Sequence, residues 1–160
     1  MWIDPFSEQI ARAASQHGLP IKLVRAIVDV ESEGNPWATR YEPAFFDRYI
    51  SSSKIKSIPP CSVSTEARLR ATSFGLLQIM GAVARERGFE MPFLTALCDP
   101  EIGLEFGCRH LGWLAQQWLD KEGWEGVVAA YNAGSPRRLP DHRWVNHPYV
   151  DKVRAEGGFS

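Results

Sequence analysis

The chain has 160 residues (18.0 kDa), 44% of them hydrophobic and 23% charged. These are the proportions of an ordinary globular domain, not of a disordered, collagen-like or coiled-coil chain. Eighteen Lys and Arg against 19 Asp and Glu give a net charge of −1 and a pI of about 6.4. Without a cationic excess, nucleic acid is not an expected partner.

In chain order, Asp4-Pro5 sets an N-cap before a Pro at N1 and predicts a helix through about Gln16, stopped near Gly18. A second helix is predicted to start after Pro20 and run to Glu33, with Gly34 and Pro36 as its stop. Residues 37–72 read as irregular, with a short helix over Tyr41 to Tyr49. Breaks follow at Ser51-Ser52-Ser53 and Pro59-Pro60, then a short turn opened by Ser64 or Thr65 with Glu66. Leu76 to Arg87 reads as a helix ending at Gly88. Asp99-Pro100 repeats the cap-then-Pro signal and starts a long helix to about Lys121; Gly123 breaks it. Trp124 to Asn132 is a further helix, stopped by Gly134 and Pro136, and the Pro-broken tail is helical again from Tyr149 to Ala155. No repeat and no period-2 strand is evident, so the fold class is mainly α.

Cys61, Cys98 and Cys108 are odd in number and form no CxxC, which points to buried free thiols. His17, His110, His142 and His147 are scattered. Neither a metal nor a cofactor is expected. No apolar run is long enough for a membrane span. Met1-Trp2-Ile3-Asp4-Pro5-Phe6 has neither a basic start nor an apolar core, so no signal peptide is expected.

The helix before Gly34 carries the main chemical argument. With Leu23 set at zero and about 100° per residue, Leu23, Val24, Ala26, Ile27, Val28 and Val30 share one arc. Lys22, Arg25, Asp29, Ser32 and Glu33 share the opposite one. Glu31 is the exception: it falls at about 80°, amid the apolar arc. A carboxyl facing apolar surroundings is costly when ionised. The negative end of the helix dipole also favours its protonated form. A proton held near neutral pH is what a general acid for glycosidic cleavage needs.

Three blocks then follow in order: Glu31-Ser32 with Asn35-Pro36-Trp37-Ala38, then Ser73-Phe74-Gly75-Leu76-Leu77-Gln78-Ile79-Met80, then Ala130-Tyr131-Asn132-Ala133-Gly134. Together they resemble the soluble lytic transglycosylases of the lysozyme superfamily, relatives of goose-type lysozymes. The resemblance implies a single lysozyme-like domain over residues 1–160, with a longer irregular insertion at about 37–72. It implies Glu31 as the catalytic acid and then base. It also implies Ser73 and Gln78 as groups near the reacting sugars, Tyr131 as a phenol contacting the catalytic carboxylate, and Asn132 as a sugar or loop contact. Trp37, just after the Glu31 block, is placed to stack on a sugar ring. The usual Pro after the Gln-x-Met block is replaced by Gly81.

The implied partner is the glycan strand of peptidoglycan, attacked by a monomer. One carboxylate is sufficient for the transglycosylase route, which closes a 1,6-anhydro ring. A hydrolytic lysozyme would require a second acid to activate water. Glu42, Asp47 and Glu66 are the candidates, with Glu42 preferred. A third alternative is a non-catalytic glycan-binding module, although loss of Glu31 would then be tolerated. The expected absence of a leader fits a bacteriophage lysis or virion protein, a secretion-associated enzyme, or a chain shorn of its leader.

Overall fold

Helix-forming signals prevail over most of the chain, and the computed structural model, which describes residues 5–160, is mainly helical. Two compact units can be distinguished: the chain up to Val30 together with Cys108–Ser160, and Glu31–Gly107.

In the first unit, α1 (Ser7–Gln16) buries Ile10, Ala13 and Ala14, a one-face spacing. The expected cap at Asp4 lies outside the described residues, and the helix begins at Ser7. Gly18, at φ 65°, ends it in the left-handed region. α2 (Ile21–Ser32) buries Leu23, Val24, Ala26, Ile27 and Val28 as its periodicity predicts. The Asp99 carboxylate, in the second unit, accepts from the backbone N–H groups of Glu101 and Ile102, as expected of the residue before Pro100. α6 (Pro100–Ala133) is interrupted at Gly123, with φ 67° and ψ −176°, so two helices run end to end where Gly123 was expected to break the chain. α7 (His147–Ala155) starts two residues earlier than expected. On α6, Trp118 is half-buried and Trp113 is 40% exposed, stacked on His110 with the ring centroids 6.0 Å apart.

The second unit departs further from expectation. Thr39–Tyr41 (β1), Thr72–Phe74 (β2) and Ile79–Met80 (β3) form an antiparallel sheet in the order β1-β2-β3. Strands of two or three residues are too short to reveal a period of two, so none was anticipated. The expected helix over Leu76 to Arg87 shrinks to α5 (Gly81–Glu86). Gly75 and Gln78, at φ 77° and 48°, form a turn that no right-handed helix can pass through. The aromatic stretch is β1, then α3 (Pro43–Phe45) and a wide π turn over Phe46–Ile50. The short turn expected at Ser64 is α4 (Val63–Arg70), capped by Ser62, whose Oγ accepts from Thr65 N. Phe74, Ile79, Ala84, Phe89, Leu94 and Leu97 make the core of this unit. Gly81 has a steric reason of its own: a Cβ there would lie 2.2 Å from Leu69 O, the backbone of α4.

Glu66 is fully buried on α4 and is clamped by two arginines. Its Oε1 accepts from Arg70 Nε (3.0 Å) and Arg85 Nε (2.8 Å), and its Oε2 from Arg85 Nη2 (3.0 Å). The Arg85 guanidinium also donates to the carbonyls of Phe89, Met91 and Pro92. Burial alone would raise the Glu66 pKa, but the hydrogen bonds and charges of Arg85 and Arg70 outweigh it and hold the carboxyl below its ordinary value of 4.5. Because the folded value lies below the unfolded one, this stabilisation is present at neutral pH and is lost as pH falls through the folded value. Glu66→Gln should therefore cost about 3–5 kcal/mol at pH 7, by leaving buried guanidinium groups uncompensated. It should also flatten the loss of stability below about pH 5. Urea unfolding of both proteins across that range tests this.

Candidate active site

Glu31 sits in the last turn of α2, where the wheel placed it amid the apolar arc, and is half-buried. The helix ends immediately afterwards, because Glu33 (φ 52°) and Gly34 (φ 77°) are both left-handed. Asn35 then makes a tight turn: its N–H donates to Ser32 O (3.0 Å) and its Oδ1 accepts from Trp37 N (3.0 Å). This turn leaves the Trp37 indole 76% exposed.

Ser32, assigned by the wheel to the solvent arc, is buried instead, and its hydroxyl donates to Leu76 O at 2.8 Å. The last residue of a helix lies where wheel angles lose meaning, and a tertiary acceptor has captured the hydroxyl. Two further bonds join the same segments. Gly75 N donates to Ala38 O (2.8 Å), and Gln78 Nε2 donates to Ala38 O (2.8 Å) as well as to Gly75 O (3.0 Å). The first two sequence blocks are thus bonded together. Gly75 is required twice over: its φ is positive, and a Cβ would lie 2.6 Å from Leu97 O.

Gln78 lies in this turn and not on a helix. Both of its amide hydrogens go to backbone carbonyls, so Oε1 is the end left for a ligand, an acceptor only. Ser73 is on β2, opposite Arg40 on one side and Met80 on the other, with its Oγ 4.0 Å from Met80 Sδ. Glu42, which follows β1, accepts from Arg40 Nε at 2.9 Å and is about one-third exposed. Glu66 is no candidate for activating water, because both carboxylate oxygens are committed to guanidinium groups.

In the first unit, Tyr131 is half-buried with its ring 5.8 Å from that of His110, and Asn132 is exposed. The chain beyond them folds back. Arg138 bridges to Trp144 and lies over its indole, 3.7 Å from the ring centroid, and also pairs with Glu122. This return brings Asn146 to Asn132, a contact the sequence did not signal. Among the described residues, no three His, Cys, Asp or Glu side chains gather in a way that could hold a metal ion. Nor is any helix long and apolar enough to cross a membrane.

The mainly helical fold is that of a lysozyme-like domain. The family model of the transglycosylase SLT domain matches residues 8–148, and the chain belongs to that family. At the family level this is peptidoglycan lytic transglycosylase activity, with the bacterial cell wall as its place of action. No curated protein matches the chain.

The Ser32 hydroxyl is expected to matter more than its neighbours on the exposed arc. Ser32→Ala leaves a buried carbonyl without its donor and should cost about 1–3 kcal/mol. It should also lower the rate of peptidoglycan cleavage, because the Glu31 turn then keeps only the two bonds through Ala38 O to the Gln78 turn. Denaturant unfolding and turbidity loss of a wall suspension measure the two effects.

Proposed function

We propose that Glu31 is the general acid and then base of a lytic transglycosylase that cleaves the β-1,4 bond between N-acetylmuramic acid and N-acetylglucosamine. The observation that carries this reading is the bond from Ser32, next to Glu31, to the turn that bears Gln78. It gathers the carboxyl and a polarity-fixed amide in one unit.

Protonated Glu31 gives its proton to the bridging oxygen as the bond from that oxygen to the muramic C1 breaks. The neighbouring acetamido oxygen stabilises the charge at C1, a substrate-assisted route among the exceptions to the two-carboxylate scheme. Carboxylate Glu31 then takes the proton of the sugar's 6-hydroxyl as its oxygen bonds to C1. The 1,6-anhydro ring closes and no water is consumed. Gln78 Oε1 accepts a hydrogen bond from a sugar hydroxyl or amide N–H, and Ser73, on β2 just before that turn, keeps the role that the motif implies. The exposed Trp37 indole suits stacking on a sugar face. Tyr131 and Asn132 keep the roles that the motif implies, Asn132 as a sugar contact. A monomer without metal or cofactor is sufficient for this chemistry.

Two measurements test the reading. Glu31→Gln should lower cleavage by at least about 10²-fold with little change in stability, since a neutral isostere replaces an acid in a partly apolar setting. Mass analysis of products from purified peptidoglycan should find anhydro-muramic ends, one water lighter than reducing ends. Reducing ends would transfer the reading to a hydrolase with Glu42 activating water. Substantial turnover by Glu31→Gln would place the acid elsewhere, and a folded protein with no activity would leave a glycan-binding module.

A further inference from the structure

Asn146 Nδ2 donates to Asn132 Oδ1 at 2.8 Å and to Ala129 O at 3.1 Å. Both amide hydrogens meet acceptors, so the orientation of the amide is settled: turned over, it would set an oxygen against two oxygens. The consequence is that Asn146 Oδ1 is buried with no hydrogen-bond partner. Native proteins leave few such atoms, and each calls for a reason.

The start of α7 sharpens the question. Asn146 occupies the N-cap position, where an Asn side chain commonly accepts from a backbone N–H in the first turn, yet it makes no such bond. Pro148, in that turn, has no N–H to offer. Asn146 thus forgoes the bond its position invites, and its side chain is turned to Asn132 instead.

We propose that Asn146 is a positioning residue for the glycan. By donating to Asn132 Oδ1, it fixes the orientation of the Asn132 amide and leaves both Nδ2 hydrogens to the ligand. The exposed end of Asn132 is then a donor, which selects an acceptor on the strand, the acetamido carbonyl oxygen that every sugar carries. This rests on the reading of Asn132 as a sugar contact.

The test separates helix capping from positioning. Serine caps helices well but is too short to hold Asn132. In Asn146→Ser, Tm is expected to stay level or rise, while kcat/KM on solubilised glycan strands falls about tenfold, through KM more than kcat. Asn132→Ala should lose about as much. Added to Asn132→Ala, Asn146→Ser should cost less than about twofold more, the non-additivity of two residues acting as one. A folded Asn146→Ser with unchanged kcat/KM overturns the proposal, as do equal losses in both backgrounds. An Asn132→Ala variant of full activity removes the sugar-contact reading of Asn132 itself, and the proposal with it. Should the serine variant not fold, Asn146→Asp, equal in shape but without the donor, takes its place with the same expected loss and the same overturning results.

Discussion

The carbonyl of Ala38 accepts two hydrogen bonds, from the backbone of Gly75 and the side chain of Gln78. With the Ser32 hydroxyl on Leu76 O, they tie the end of α2 to the turn between β2 and β3. Everything proposed for Glu31 depends on this junction, because a carboxyl in the last turn of a helix would otherwise fray. The junction also explains the conformations around it. Two left-handed residues end α2 at once, and a left-handed glutamine is held by its own amide. Backbone strain of this kind persists only where the surroundings over-determine it.

Side-chain hydrogen bonds also fix polarity, separately in each unit. An unrestrained amide can present either of its ends to a sugar. Gln78 donates both amide hydrogens to carbonyls, which leaves its oxygen outward of those bonds; Asn132 Oδ1 accepts from Asn146, which sets the direction of its amide. Recognition by fixed donors and acceptors discriminates strongly, since a mismatched ligand leaves a polar group unpaired.

Much of the helical framework was legible because its signals are local. Asp99 before Pro100, Gly123 in the long helix and the apolar arc of α2 each act within a few residues, and each appears as read. The three-block pattern likewise pointed to the family, which the match over residues 8–148 establishes. What could not be read depends on partners far along the chain. Gln78 looked helical because Leu76, Ile79, Met80 and Val83 mimic a helical stripe, and only the pairing of β2 with β1 and β3 makes a turn of that segment. Ser32 looked exposed because its acceptor lies 44 residues away. Glu66 looked like a spare acid, and nothing near it in sequence announced that Arg85 would claim it. Asn146 carried no signal beyond being an asparagine ahead of a helix.

The close approach at Gly81 has a consequence for how this chain can change. With Leu69 O 2.2 Å from where a side chain would start, residue 81 and the end of α4 form one steric unit. A proline there would bring its own Cβ to the same carbonyl. Grafting a relative's β3–α5 segment onto this scaffold thus requires exchanging α4 with it, so that recombination respects a boundary at Ser62 and not at the motif itself.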